Sequence, residues 1–320
     1  MIDVLGRVGG RGWTAFAARF VVVVLAVGYF AAGDFAPAAA QDVPQEVKEG
    51  SKDLDVPYEG SHASVLKAMF ELAGVTGDDF IIDLGSGDGR IVIAAAQRFG
   101  ARGFGVDLNE KLVAIANQRA RRAGIGARAR FFVRDIFQTD ISRASVVTMF
   151  LYPDVVLKLR PKLLGSLAPG ARVVSNEYHL GRWRPDAARL VESPGGKEGV
   201  VYMWVVPAKV AGLWNWETEY PAYFDRTLRY RAKIKQPFQD MTGEVELELA
   251  PMGIHDAAIT GARVAFSATG EIDHLMVRHD FTGTVKGNEI IGTVRLSGGV
   301  RDIVLPWRAW RATDIIPSRP

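Results

Sequence analysis

Between residues 60 and 210 the apolar positions follow two alternating rhythms. Val65, Met69 and Leu72 recur at helical spacing with Leu66 and Phe70 beside them; Ser61 opens the pattern and Gly74 closes it. Phe80-Ile81-Ile82-Asp83-Leu84 is a short continuous run instead, the mark of a strand buried on both faces. The pair of rhythms then repeats. It predicts a helix over 90–99, a strand over 103–107, a helix over 110–122 and a strand over 130–134. Further on it predicts a strand over 144–151, a helix over 154–167, a strand over 171–176 and a late strand over 199–206. Alternation at these lengths predicts an α/β unit over 55–208, with a mostly parallel sheet covered on both faces.

After about Ala211 the helical rhythm stops. Strand-like stretches over 227–234, 243–249, 262–267, 279–285, 289–296 and 303–309 alternate with turns, and Lys286-Gly287-Asn288 is a hairpin signal. The expectation for 209–320 is a small antiparallel all-β domain, a sandwich or barrel. At the other end, Arg7, Arg11 and Arg19 precede the uncharged apolar run Phe20 to Gly33, and Ala38-Ala39-Ala40 supplies a small-residue cleavage site. That pattern reads as a signal peptide over 1–40, or an uncleaved N-terminal anchor, because the run is short of the roughly 20 residues a membrane-spanning helix needs. The expected location is therefore exported, periplasmic or secreted, or membrane-associated through the N-terminus. Residues 41–54 are polar and acidic and read as a linker.

Composition narrows the chemistry. Hydrophobic residues make up 48% and charged residues 23% of the 320, which suffices for a large core. A net charge of +3 with no Lys/Arg block gives no case for a nucleic-acid partner. The chain has no cysteine, which excludes disulfides, thiolate metal sites and a cysteine nucleophile. No metal-ligand spacing and no Ser-His-Asp pattern is present, so no metal is expected.

The motif that carries chemistry follows the first strand: Asp83-Leu84-Gly85-Ser86-Gly87-Asp88-Gly89-Arg90. Its glycines let the chain turn sharply and let a ligand lie against bare backbone. The spacing is G-x-G-x-G, not the G-x-G-x-x-G of dinucleotide sites. Asp83 and Asp88 put carboxylates beside the loop. These repel a pyrophosphate but suit an ammonium and a sulfonium, and S-adenosylmethionine carries both. Asp107 ends the next strand and is placed to accept from ribose hydroxyls; a helix N-cap for Asn109-Glu110 is the competing role. Asp135 ends the third strand and suits an exocyclic adenine amine, with Ile136 or Phe137 against the ring; a solvated strand end is its alternative.

These stretches resemble a class I methyltransferase with a Rossmann-like sheet. More narrowly they resemble the mitochondrial lysine methyltransferases that modify the ATP synthase c-subunit and the adenine nucleotide translocator. The likeness rests on Val56-Pro57-Tyr58, the run DLGSGDGRIVIAAA from Asp83, residues 131–140, Val147 to Pro153, and Ala171-Arg172-Val173-Val174. It covers roughly Val56 to Trp183 and implies S-adenosylmethionine-dependent N-methylation of a protein lysine. Cofactor contacts are then expected from Asp83, Gly85, Ser86, Gly87, Asp88, Gly89, Asp107, Asp135 and Ile136. Tyr58, Tyr152 and Pro153 are expected on the acceptor side, with the carbonyl of Leu151 or Tyr152 aiming the incoming amine. The alternative is a degenerate methyltransferase domain serving as an exported or membrane-associated binding module through the β domain.

Overall fold

The computed structural model describes residues 62–193, 197–220, 226–299 and 302–312. The apolar run at 20–33, the cleavage-like site, the linker and Tyr58 lie outside the described residues. Among the described residues no helix is long and apolar enough to cross a membrane.

The α/β part runs α1 (Ala63–Ala73), β1 (Phe80–Leu84), α2 (Arg90–Phe99), β2 (Arg102–Asp107), α3 (Glu110–Arg122), β3 (Ala129–Val133), β4 (Val146–Met149), α4 (Pro153–Ser166), β5 (Arg172–Asn176), β6 (Ala187–Ser193) and β7 (Lys197–Val205). Its seven strands lie in the order β3-β2-β1-β4-β5-β7-β6. The first five are parallel; β7 runs antiparallel to both β5 and β6. Apolar side chains of α1, α2 and α3 pack on one face of this sheet, and Val156, Leu159 and Leu163 of α4 on the other. A sheet buried on both faces explains why its strands read as continuous apolar runs. The order reverses between β1 and β4, and loops at such a switch point open a crevice at the carboxyl ends of the strands.

Two elements depart from the expected set. The strand expected over 144–151 is only Val146–Met149, because the chain leaves the sheet early to start α4 at Pro153. Strand β6 was not anticipated: it is an edge strand with Leu190 exposed, so its sequence lacks an apolar run.

The remaining strands are β8 (Gly212–Tyr220), β9 (Arg226–Lys235), β10 (Thr242–Leu247), β11 (Ala250–Gly253), β12 (His255–Thr260), β13 (Arg263–Ile272), β14 (Leu275–Lys286), β15 (Glu289–Ser297) and β16 (Ile303–Arg311). They form one antiparallel sheet in the order β11-β10-β9-β8-β16-β15-β14-β13-β12. The hairpin expected at 286–288 is present, with Lys286 paired to Glu289 and Gly287 at φ 61°. Alternate residues point into one aromatic core built on Trp214, Trp216, Tyr230, Phe266, Phe281 and Trp307. Trp216 stacks on Tyr230 with ring centres 5.2 Å apart. The two sheets share no strand pairing.

Candidate functional site

The loop from β1 to α2 is shaped by where its glycines sit. Gly85 and Ser86 both donate their backbone N–H to the Val106 carbonyl at 2.9 Å, which folds the chain back over the tip of β2. Gly85, Gly87 and Gly89 all have left-handed backbones, at φ 81°, 51° and 81°. A side chain at Gly85 would also meet Leu151 at 2.7 Å, so the loop after β4 lies directly on this turn. Gly89 caps α2, whose first-turn N–H groups face the same edge.

Three acids stand at successive strand ends, and the structure gives each a different environment. Asp83 is only 1% exposed. One of its oxygens accepts from the Thr148 hydroxyl at 2.7 Å, and the other is buried without a partner. Burial pushes its carboxyl up to about 7; the Thr148 bond opposes this, and the Asp107 and Asp88 carboxylates add to it. A buried carboxylate oxygen with no donor is a costly arrangement that a cationic ligand would relieve. Ser86 Oγ is likewise buried and unpartnered.

Asp107 accepts from Gly87 N–H on one oxygen and from Asn109 N–H on the other, each at 2.9 Å. It therefore pins the glycine loop to the end of β2. The helix-cap alternative does not hold, because the Asn109 side chain caps α3 by accepting from Lys111 and Leu112. Each Asp107 oxygen keeps a lone pair for a further donor. Asp135 folds a tight turn by accepting from Phe137 N–H at 2.7 Å and is half-buried, with Ile136 beside it.

Asp88 corrects the expectation from the sequence. Its carboxylate is held by Arg90 at 2.8 Å and by Arg119 of α3. Burial would raise its pKa, but the two guanidiniums outweigh burial and hold it down at about 2. The charge is thus neutralised within the protein. Asp88 joins α2 to α3 and leaves no free negative charge beside the loop.

On the acceptor side, Tyr152 and Pro153 follow β4 as expected. Tyr152 is 44% exposed and is the N-cap of α4, and Pro153 occupies the start of that helix, where its missing N–H costs nothing. The Tyr152 carbonyl accepts from Val155 and Val156, so it is committed to α4. That leaves the Leu151 carbonyl as the candidate for aiming an amine. Tyr58 lies outside the described residues.

Sequence reasoning missed two groups at this edge. Thr148 is a hydroxyl inside the otherwise apolar strand Val-Val-Thr-Met, and that anomaly was the available signal for a partner to Asp83. Glu177, just past β5, sits at φ 66° with its side chain over Gly199, and nothing in the sequence marks it. Taken together, the unpartnered Asp83 and Ser86 oxygens, the bare glycine backbone and the Asp107 lone pairs fit a ligand carrying an ammonium group and adjacent hydroxyls.

Comparison with known proteins follows the same residues. A family model described as the ANTKMT methyltransferase domain matches residues 83–187. The protein-lysine N-methyltransferase of Saccharolobus islandicus is 40% identical over 152 residues, which is 47% of this chain and 94% of that enzyme. The adenine nucleotide translocase lysine N-methyltransferase of Mus musculus is 39% identical over 135 residues, 42% of this chain. The chain spans 58% of that mouse enzyme. A solved RNA methyltransferase from Salinibacter ruber, in complex with S-adenosyl-L-homocysteine, is 44% identical, covers 48% of this chain and 96% of its own, and superposes with a TM-score of 0.44.

Proposed function

We propose that this chain, which belongs to the S-adenosylmethionine-dependent methyltransferase family of the Saccharolobus islandicus protein-lysine N-methyltransferase, methylates lysine side chains of a protein. The observation that carries the reading is the buried, unpartnered Asp83 oxygen at the switch point, beside a glycine loop tied to Asp107. Asp83 would take the cofactor's ammonium group, the backbone of Gly85, Ser86 and Gly87 its amino-acid end, and Asp107 its ribose hydroxyls. Asp135 and Ile136 would take the adenine, with Gly89 setting the start of α2 behind the loop. Bound there, S-adenosylmethionine supplies an electrophilic methyl group on a sulfonium. A degenerate domain would be expected to have lost one of Asp83, Asp107 or Asp135; all three stand at their strand ends.

The chain's own task is to deliver a neutral amine in line. A lysine has a reference pKa near 10.4, so an apolar, aromatic approach that disfavours the ammonium form contributes directly to rate. Tyr152, with Tyr58 from the segment before α1, would wall that approach. The Leu151 carbonyl would accept one amine hydrogen and so aim the lone pair. Pro153 fixes the loop between them.

The test is transfer of labelled methyl from cofactor to host membrane and periplasmic extracts, followed by mass spectrometry of the labelled residue. Methyl-lysine is the expected product. Tyr152→Ala and Tyr58→Ala should slow transfer by tens to thousands of fold with little change in S-adenosylhomocysteine affinity, the range expected when positioning is lost. Normal transfer by both variants defeats the acceptor-side assignment. Absence of methyl-lysine when cofactor binding is demonstrated defeats the substrate class. We also assign the chain to an exported or membrane-anchored location on the N-terminal pattern; host fractionation with N-terminal sequencing of the mature protein tests this.

A further inference from the structure

The two sheets meet through a loop between β9 and β10, residues 236–241. Phe238 sits there at φ 58°, a backbone that aromatic residues rarely adopt. Its ring does not join the β-region core. It packs instead against the core beneath α4 of the parallel sheet. It stacks on Trp183 with ring centres 6.4 Å apart and planes 8° apart, and the Arg160 guanidinium of α4 lies 5.5 Å from its centre.

Trp183 belongs to the segment that follows β5. That segment leaves the sheet beside the end of β4, since Ser175 is paired with Met149, so it starts at the carboxyl edge next to Leu151 and Tyr152. Glu177, at φ 66°, turns the chain there. Three side chains then hold the segment by its carbonyls. Arg160 donates to Leu180 at 2.9 Å, Trp204 Nε1 to Trp183 at 2.8 Å, and Gln239 of the β-region loop to Arg184 at 2.7 Å. Arg160 thus grips the segment and covers Phe238 at once. Gln236 completes the joint. It accepts from Val210 N–H at 2.7 Å and donates to the carbonyls of Ala208 and Phe238 at 2.8 Å, binding the inter-sheet connection to the same loop.

We propose that the β region positions the acceptor side of the site, with Phe238 locking the 177–184 segment against α4. This rests on the methyl-transfer reading above. Phe238 is a positioning residue: it acts through Trp183 and Arg160, and the site's cofactor half, built on β1 and β2, makes no use of it. A contact that served only to cover Trp183 would need apolar bulk. A contact that orients the segment needs the flat face that stacks.

That difference is the test, made in the full chain. Phe238→Leu keeps apolar bulk and loses the face; Phe238→Tyr keeps the face. Amide hydrogen exchange over 177–184 is measured first, then methyl transfer against a titration of host membrane extract, then S-adenosylhomocysteine affinity. Phe238→Leu should speed exchange in 177–184 and raise the half-saturating extract concentration about tenfold, with cofactor affinity unchanged, and Phe238→Tyr should restore both. Unchanged exchange in Phe238→Leu overturns the proposal, as does equal damage by Tyr and Leu or a loss confined to cofactor affinity. If the wild-type chain binds cofactor yet labels no lysine, it is the methyl-transfer reading that fails. Exchange then decides alone whether Phe238 locks the segment.

Discussion

Asp83 is the residue whose environment is most at odds with its charge. Its carboxyl titrates at about 7 in the folded chain against a reference near 3.8, chiefly because it is buried. Between those two values the folded state binds more protons than the unfolded state, so this group makes stability fall as pH rises from about 4 to about 7. Holding it ionised at pH 8 costs the ligand-free protein on the order of 2–4 kcal/mol. Asp83→Asn should therefore raise the Tm of the ligand-free protein at pH 8 while weakening S-adenosylhomocysteine binding. A variant that lowers Tm and binds normally would remove Asp83 from the cofactor site. Because the ammonium needs the carboxylate form, wild-type affinity should fall about tenfold between pH 8 and pH 6, and calorimetry should find that dependence flattened in the Asn variant. Two other buried groups act in the opposite sense. Asp88, held at about 2 by Arg90 and Arg119 against its burial, contributes stability above about pH 4 that is lost as pH falls toward 2. His279, fully enclosed in the β core and pushed down to about 4 by that burial, adds a second loss on acidification between about pH 6.5 and 4.

Among the elements, the β1–α2 turn shows how tightly the sequence is fitted. A side chain at Gly89 would meet Phe131 at 2.6 Å and Ala116 at 2.8 Å on top of its left-handed backbone, whereas at Gly100, also left-handed, it would meet nothing within 4 Å. Gly89→Ala should cost about 2–4 kcal/mol in denaturant unfolding and Gly100→Ala only about 1 kcal/mol. Equal costs would mean that strain alone, and not the fit of α2 against α3 and β3, fixes the loop. This turn and the strands feeding it were legible in advance, because double-sided burial writes an apolar run and a tight turn demands glycine. Asp107 and Asp135 were legible as strand-end acids for the same reason. What escaped was written only in contacts distant along the chain. The pairing of Asp88 with Arg119 spans 31 positions, and a carboxylate's partner is not encoded near it. Strand β8 has a regular inside–outside alternation in Leu-Trp-Asn-Trp-Glu-Thr-Glu-Tyr, yet it was passed over because it directly follows the change from helical to strand rhythm. Strand β6, exposed at an edge, has no such pattern to read.

At the scale of the molecule, the sequence suggested two domains, and the structure shows two sheets with separate cores that nonetheless fall within one compact unit over Leu54–Pro320. Ending the chain after Pro207 should leave cofactor binding in place, since Asp83, Asp107 and Asp135 lie on the first three strands. It should also strip Phe238 from Trp183 and the Gln239 bond from Arg184, so the shortened chain should show a lower Tm and faster proteolysis within 177–184. Loss of cofactor binding on that truncation would mean that the β sheet supports the glycine loop itself. The Phe238–Trp183 stack has one more consequence. Energetic coupling between two sites is reciprocal. If docking of the β region improves capture of an acceptor by some factor, then an acceptor seated at the site must tighten docking of the β region by that same factor. Anything that binds the nine-stranded sheet and shifts the 236–241 loop thereby becomes an effector of methylation, and the aromatic step between the sheets is where its influence would pass.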